Sequence, residues 1–175
     1  WATNTLPKAV VPMENLYAFG GIELFRNAYL RLLKSLALVE ILDLQAKEIR
    51  HFGQFTITAG GNRINWLNAI MAPGQSTPAV LADVFAHFQR LVAYTRLRKT
   101  LKVDGADLIE ILKNPHAVNT ENENLMLKYA GWTAEDRDAL LLRMGWTVDD
   151  LSDVFHLSRL NEAYRLVQQT GLSAA

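Results

Sequence analysis

Four histidines, His51, His87, His116 and His156, are the side chains here best able to exchange a proton near neutral pH or to ligate a metal. They stand far apart along the chain, and none has the spacing of a two-histidine zinc helix. The 175 residues contain no cysteine, which removes thiolate nucleophiles, thiolate metal sites and disulfides together. The reading is four ordinary histidines and no metal site. Their charge change between about pH 5 and 8 still motivates one expectation, that an interface formed by the chain opens in response to pH.

Carboxylates come next. Asp149, Asp150 and Asp153 crowd one segment, and Glu135, Asp136 and Asp138 another. Paired carboxylates do acid–base work when their surroundings split their pKa values. Both clusters fall where first helical turns are expected, so capping of free amides and the helix dipole account for them. Neither has the alternating oxygen ligands of a calcium loop. Gly60-Gly61 lacks a phosphate-loop ending and reads as a turn, and Ser35, Ser76, Ser152, Ser158 and Ser173 do not form a nucleophile elbow. No catalytic, cofactor-binding or metal-binding residue is expected, and the chain reads as non-enzymatic.

Two segments invite a nucleic-acid reading. Arg90, Arg96, Arg98, Lys99 and Lys102 are basic with Tyr94 among them, but at 100° per residue they spread around a helix. Leu151–Leu166 imitates a helix-turn-helix whose second helix, near Ser158–Gln169, offers Arg159, Asn161 and Arg165. The final third carries a net charge of −4, which opposes a phosphate backbone. The first sixty residues carry +1 and residues 61–115 carry +3, so the whole is neutral. Opposite signs on successive segments suit mutual packing or neighbouring subunits.

The elements that would hold these residues are mostly helical. Half the sequence is apolar and 21% is charged, enough for a core and too little charge for disorder. Residues 1–12, with Pro7 and Pro12, read as extended. Ile22, Phe25, Ala28, Tyr29, Leu32, Leu33 and Leu36 repeat at three and four, predicting a helix over about Glu23–Val39 whose backward extension Gly20-Gly21 interrupts. A second helix is expected over Ala46–Phe52, with Glu48 reaching back to its first turn. Residues 53–76 are irregular: Phe55–Thr58, Gly60-Gly61-Asn62 and Arg63–Trp66 fit a hairpin, and a loop with a helical turn near Ile64–Met71 fits equally.

Thr77-Pro78 starts a helix running to about Leu101, with Leu81, Val84, Phe85, Phe88, Leu91 and Val92 as its buried face. A short helix follows at Ala106–Leu112. Capping boxes are expected at Thr120–Glu123, Thr133–Asp136 and Thr147–Asp150. Gly131-Trp132, Gly145-Trp146 and the start of the same device at Gly171-Leu172-Ser173 mark tight corners between short helices. The fold expected is all-α: one helical domain or lobe over 1–175, an irregular bundle of long and short antiparallel helices with one small β-hairpin near residues 55–66. Its parts are a lead-in and first helix pair (1–52), an irregular stretch (53–76) and a helical remainder (77–175).

Trp1–Val11 lacks the basic-then-apolar build of a signal peptide, and the apolar runs are too short or too interrupted to span a bilayer. The start without Met and the end at Ser173-Ala174-Ala175 suggest a piece of a longer chain.

Several phrases, in order, resemble a known family. Trp1-Ala2-Thr3-Asn4 with Pro7 and Pro12 is similar to its lead-in. Leu44-Gln45-Ala46-Lys47-Glu48-Ile49 and His51-Phe52-Gly53 resemble a "leucine, cap, two residues, glutamate" element, with Gln45 where Ser or Thr is usual. Phe85–Leu101, with Leu91-Val92-Ala93-Tyr94 and Leu97-Arg98, resembles the long helix after it, and Gly131-Trp132-Thr133, Gly145-Trp146-Thr147 and Gly171-Leu172-Ser173 complete the run. Together they resemble the helical shell of the A component of bacterial insecticidal toxin complexes, the Tc toxins. The resemblance implies a structural segment of a large secreted or cell-surface virulence protein. It implies a homopentamer around a translocation channel that delivers a toxic enzyme from a B–C cocoon. Implied partners are other segments of the same chain, further protomers and the B–C components, with no nucleic acid, no cofactor and no membrane insertion by this segment. The alternatives from the residues themselves are a self-contained helical interaction module and a helix-turn-helix DNA-binding domain.

Overall fold

A computed structural model describes residues 13–59, 61–70 and 77–171. The extended reading of residues 1–12, the serines Ser76 and Ser173, and the corner beyond Gly171 lie outside the described residues. Among those described, the fold is mostly helical, as expected, with seven α-helices, two short 3₁₀ helices and one two-stranded hairpin.

Helix α1 spans Met13–Leu42, continuous through Gly20-Gly21 and well beyond the predicted Glu23–Val39. Each glycine costs a helix about 1 kcal/mol against alanine. Propagation through the Leu- and Ala-rich stretch that follows offsets two such interruptions. The helix stops at Asp43, whose φ of 52° turns the chain. Helix α2 then covers Ala46–Phe52 as expected.

In the irregular stretch the hairpin reading holds in place of a loop, and the helical turn of the other reading is present as well. Strands β1 (Thr56–Ala59) and β2 (Asn62–Asn65) pair antiparallel with Ile57 opposite Ile64, and a 3₁₀ helix at Trp66–Ala69 follows directly. A hairpin of this size is marginal alone. Here Ile57 and Trp66 are buried in the core, and the Trp66 indole N–H donates to the Phe52 carbonyl at 2.7 Å.

Helix α3 (Pro78–Leu101) begins as predicted, with the Thr77 hydroxyl accepting from the Val80 amide. Its buried face differs. Leu91 is buried and Val84, Phe88 and Val92 are half-buried, but Leu81 and Phe85 stand exposed. The buried line instead runs through Tyr94, Leu97, Arg98 and Leu101. Periodicity locates an apolar stripe and says nothing of what covers it. The second half of α3 is enclosed by other helices, whereas the first half borders an apolar hollow beside Trp66, Ile70 and Leu38 that leaves Leu81 and Phe85 open.

Helix α4 (Gly105–Lys113) is capped by Asp104 and α5 (Leu125–Ala130) by Asn124. Thr120 does not start a helix. Asn119, one position earlier, accepts from the amides of Glu121 and Glu123, and its amide oxygen, a stronger acceptor in such turns than a Thr hydroxyl, outcompetes a Thr box. Helix α6 (Ala134–Met144) does start at Thr133, which accepts from the Asp136 amide. At Thr147 the device is half formed. Asp150 reaches back to the Thr147 amide at 2.7 Å, but a 3₁₀ helix, Asp149–Ser152, follows, and helix α7 (Val154–Thr170) waits for Asp153 as its cap. Gly131, Gly145 and Gly171 all end helices with φ between 67° and 69°, the left-handed geometry that a side chain resists. Trp132 is buried behind the first of these corners, and the Tyr164 hydroxyl of α7 binds the Gly131 carbonyl at 3.0 Å.

Candidate functional site

The most concentrated polar chemistry lies inside the fold. Glu48 sits in the first turn of α2, where capping alone would leave it in water. Instead it is 0% exposed. Its Oε2 accepts from the Gln45 amide at 2.6 Å and from Arg98 Nη1 at 2.7 Å, while Oε1 accepts from Arg98 Nη1 at 2.8 Å and from the Tyr94 hydroxyl at 2.7 Å. A carboxylate offers about four lone-pair sites, and all four are taken. Arg98 Nη2 donates to the Asp43 carbonyl at 2.8 Å, so the cation also closes the end of α1. Tyr94 lies 2.9 Å from the Gly105 carbonyl as well, and a β-carbon on Gly105 would fall 2.3 Å from Glu48 Oε1. Only glycine lets α4 begin against this carboxylate. Burial, then the hydrogen bond and charge of Glu48, push the Tyr94 hydroxyl well above the usual phenol range, against the pull of Arg98. Tyr94 is therefore a fixed donor. The network joins α1, α2, α3 and α4, and its saturated carboxylate has no acceptor left for a substrate.

The sequence reading treated Glu48 as a cap and Arg98 as one cation in a scattered basic run. Their separation of fifty residues hides the pair. The available signal is a Glu in one helix and an Arg and Tyr four apart in another, all flanked by apolar residues.

The histidines are not as scattered as the sequence suggests. His51 and His87 flank Phe55, at ring distances of 5.6 and 5.7 Å, and His87 also stacks on Trp66 at 5.8 Å. His116 meets Asp149 at 3.2 Å on the exposed surface, and His156 lies 4.4 Å from Trp146 with its Nδ1 3.0 Å from the Asp150 carbonyl. No group of three His, Cys, Asp or Glu among the described residues is arranged to hold a metal ion. Of the carboxylates, Asp150 and Asp153 cap amides, Asp136 accepts from the Thr133 hydroxyl and Asp138 pairs with Arg137.

Desolvation lowers the His51 pKa, helped by Lys113 of α4. Desolvation also lowers that of His87, helped by Arg90 and opposed by Asp83, both of α3. Folded-state values below the ordinary 6.5 mean that the unfolded chain takes up these protons first. Their stabilisation is complete above pH 6.5 and is lost as pH falls through the folded values. The denaturant midpoint is expected to be lower at about pH 5.5 than at 7.5, with part of that difference absent from His51→Gln/His87→Gln. An unchanged pH dependence in the double variant would refute this assignment.

Two open surfaces complete the picture. On α1, Ile22, Phe25, Tyr29, Leu32 and Leu36 form a seam at alternating spacings of three and four, each between 53% and 75% exposed. Half-buried Leu30, Leu38 and Leu42 lie on the helix's other side. Near its end, Leu38 joins Trp66, Ile70, Leu81, Val84 and Phe88 around an almost wholly apolar hollow of about 450 Å³. The second surface is a groove between α3 and α7 in which residues of the basic run and of the presumed recognition helix meet. Arg96 and Lys99 line it with Arg159, Asn161 and Arg165. Asn161 is buried, and a single 3₁₀ turn replaces the first helix of a helix-turn-helix. No helix among the described residues is long and apolar enough to cross a membrane. No family model, curated protein or solved structure matches the chain.

Proposed function

We propose that the chain is a non-enzymatic scaffold segment of the helical shell of a Tc-like toxin A component. The observation that carries this reading is the α1 seam, a regular apolar stripe turned to solvent. An apolar surface of that extent belongs against other protein. The inward-facing Glu48–Arg98 network supports it, since the strongest polar interactions fix helices to one another. In the assembly that the resemblance implies, the segment packs against the rest of its own chain and other protomers of a secreted or cell-surface homopentamer. The channel inside that shell passes the toxin from the B–C components. This reading gives the segment no nucleic-acid partner and no membrane insertion of its own.

The test is to lengthen the chain by the coding sequence that flanks it. The longer chain is expected to unfold cooperatively at a higher denaturant midpoint and to show less apolar surface to a dye. No gain in stability and no loss of dye binding would overturn the reading. A second reading, a self-contained module that holds a partner helix, is favoured by the α3–α7 groove.

A further inference from the structure

Four cations meet at the α3–α7 groove from parts of the sequence about sixty residues apart. Arg96 and Lys99 come from α3, and Arg159 and Arg165 from α7. All are exposed, and none has an ion-pair partner among the described residues, whereas Arg90, Arg98, Lys128 and Arg137 are paired. A single carboxylate, Glu162, stands among them. Between the charges lie apolar side chains, Phe88, Val92 and Leu97 from α3 and Phe155 from α7. Asn161 also lines the groove. It is 5% exposed, yet its amide has no hydrogen-bond partner among the described residues. Its amide is therefore free to exchange a bound solvent molecule for a docked polar group.

These features select one kind of occupant. The groove follows α3 from Phe85 to Thr100, about 24 Å of helix rise, and encloses about 840 Å³. That length suits a helix of about four turns laid into the valley between two others. Its apolar stripe would meet the phenylalanines and its acidic flanks the four cations. A nucleic-acid strand fits less well. Phe85, Phe88 and Phe155 could stack on bases, but Glu162 among the cations opposes a phosphate backbone.

We propose that the α3–α7 groove docks an acidic amphipathic helix of a partner polypeptide, its acidic flanks on the four cations and its apolar stripe on the phenylalanines. This goes beyond the scaffold reading and does not depend on it.

The test titrates the whole chain into a labelled synthetic helix of about 16 residues, leucines at spacings of three and four and glutamates elsewhere. A twin peptide with lysine for every glutamate serves as the control. Saturable binding of the glutamate peptide is expected, about ten-fold or more tighter than that of the lysine peptide and weaker as salt rises. Arg96→Glu/Arg159→Glu, both exposed positions, is expected to reverse the preference. Phe25→Ser/Leu32→Ser on α1 is expected to leave it unchanged. No binding, equal binding of the two peptides, an unaltered preference in the charge-reversed variant, or loss of binding in the α1 variant would overturn the proposal. So would displacement of the glutamate peptide by a lower concentration of single-stranded DNA.

Discussion

Glu48→Ala is expected to cost the fold about 3–5 kcal/mol, the range for removing one member of a buried ion pair. The size follows from what is left behind. Arg98 would keep its charge in a site 8% exposed, having lost both carboxylate oxygens and retaining chiefly the Asp43 carbonyl. Its contact with the Asp43 carboxylate, at 3.4 Å and largely in water, compensates little. Tyr94 and the Gln45 amide lose an acceptor in the same step. Domains of this size have about 5–15 kcal/mol in hand, so the loss is a large part of the total.

Three comparisons make the prediction specific. Glu48→Gln keeps an acceptor and the shape, so its cost should fall below that of alanine. Arg98→Met combined with Glu48→Leu removes both charges and should recover much of the loss, because the pair's own desolvation is costly. Gly105→Ala should resemble Glu48→Ala, since its methyl would displace Glu48 Oε1. Urea unfolding followed by circular dichroism measures all of them. A Glu48→Ala cost below about 1 kcal/mol would show that the network contributes little.

Replacing Phe25, Leu32 and Leu36 with serine is expected to abolish association while leaving the fold intact. Each of these side chains is more than half exposed, so the core does not need them. Against a partner, each would bury apolar surface contributing roughly 1.5–3 kcal/mol. Even a fraction of that, summed over three positions, is about 5 kcal/mol, or more than three orders of magnitude in an association constant. Light scattering over a concentration series should give oligomers for the unaltered chain and monomers for the variant, with identical helical content. A strictly monomeric unaltered chain would remove the main support for the scaffold reading.

Local signals were readable in the sequence. Thr77-Pro78 opens α3, Thr133 opens α6, and Gly131, Gly145 and Gly171 close helices, because each depends on a few adjacent residues. Where two local signals compete, the stronger hydrogen-bonding side chain wins, as Asn119 does over Thr120. The open surfaces were not readable. The apolar stripe of α1 was visible as a stripe, but the same pattern serves a core and an interface. The groove depended on bringing Arg96 against Arg159, which neither helix's own pattern contains. Charge counts misled there: a segment with a net charge of −4 contributes two of the groove's cations, because carboxylates such as Asp150 and Asp153 cap amides elsewhere.

Helix α1 is about 45 Å long, and its exposed stretch Gly21–Arg26 lies far from the point where Arg98 grips the Asp43 carbonyl. It is therefore a cantilever. A load applied near Ile22 acts through a long arm on the packing of Leu38 and Leu42 and on the Arg98 clasp, so small forces there become large torques at the corner shared by α1, α2 and α3.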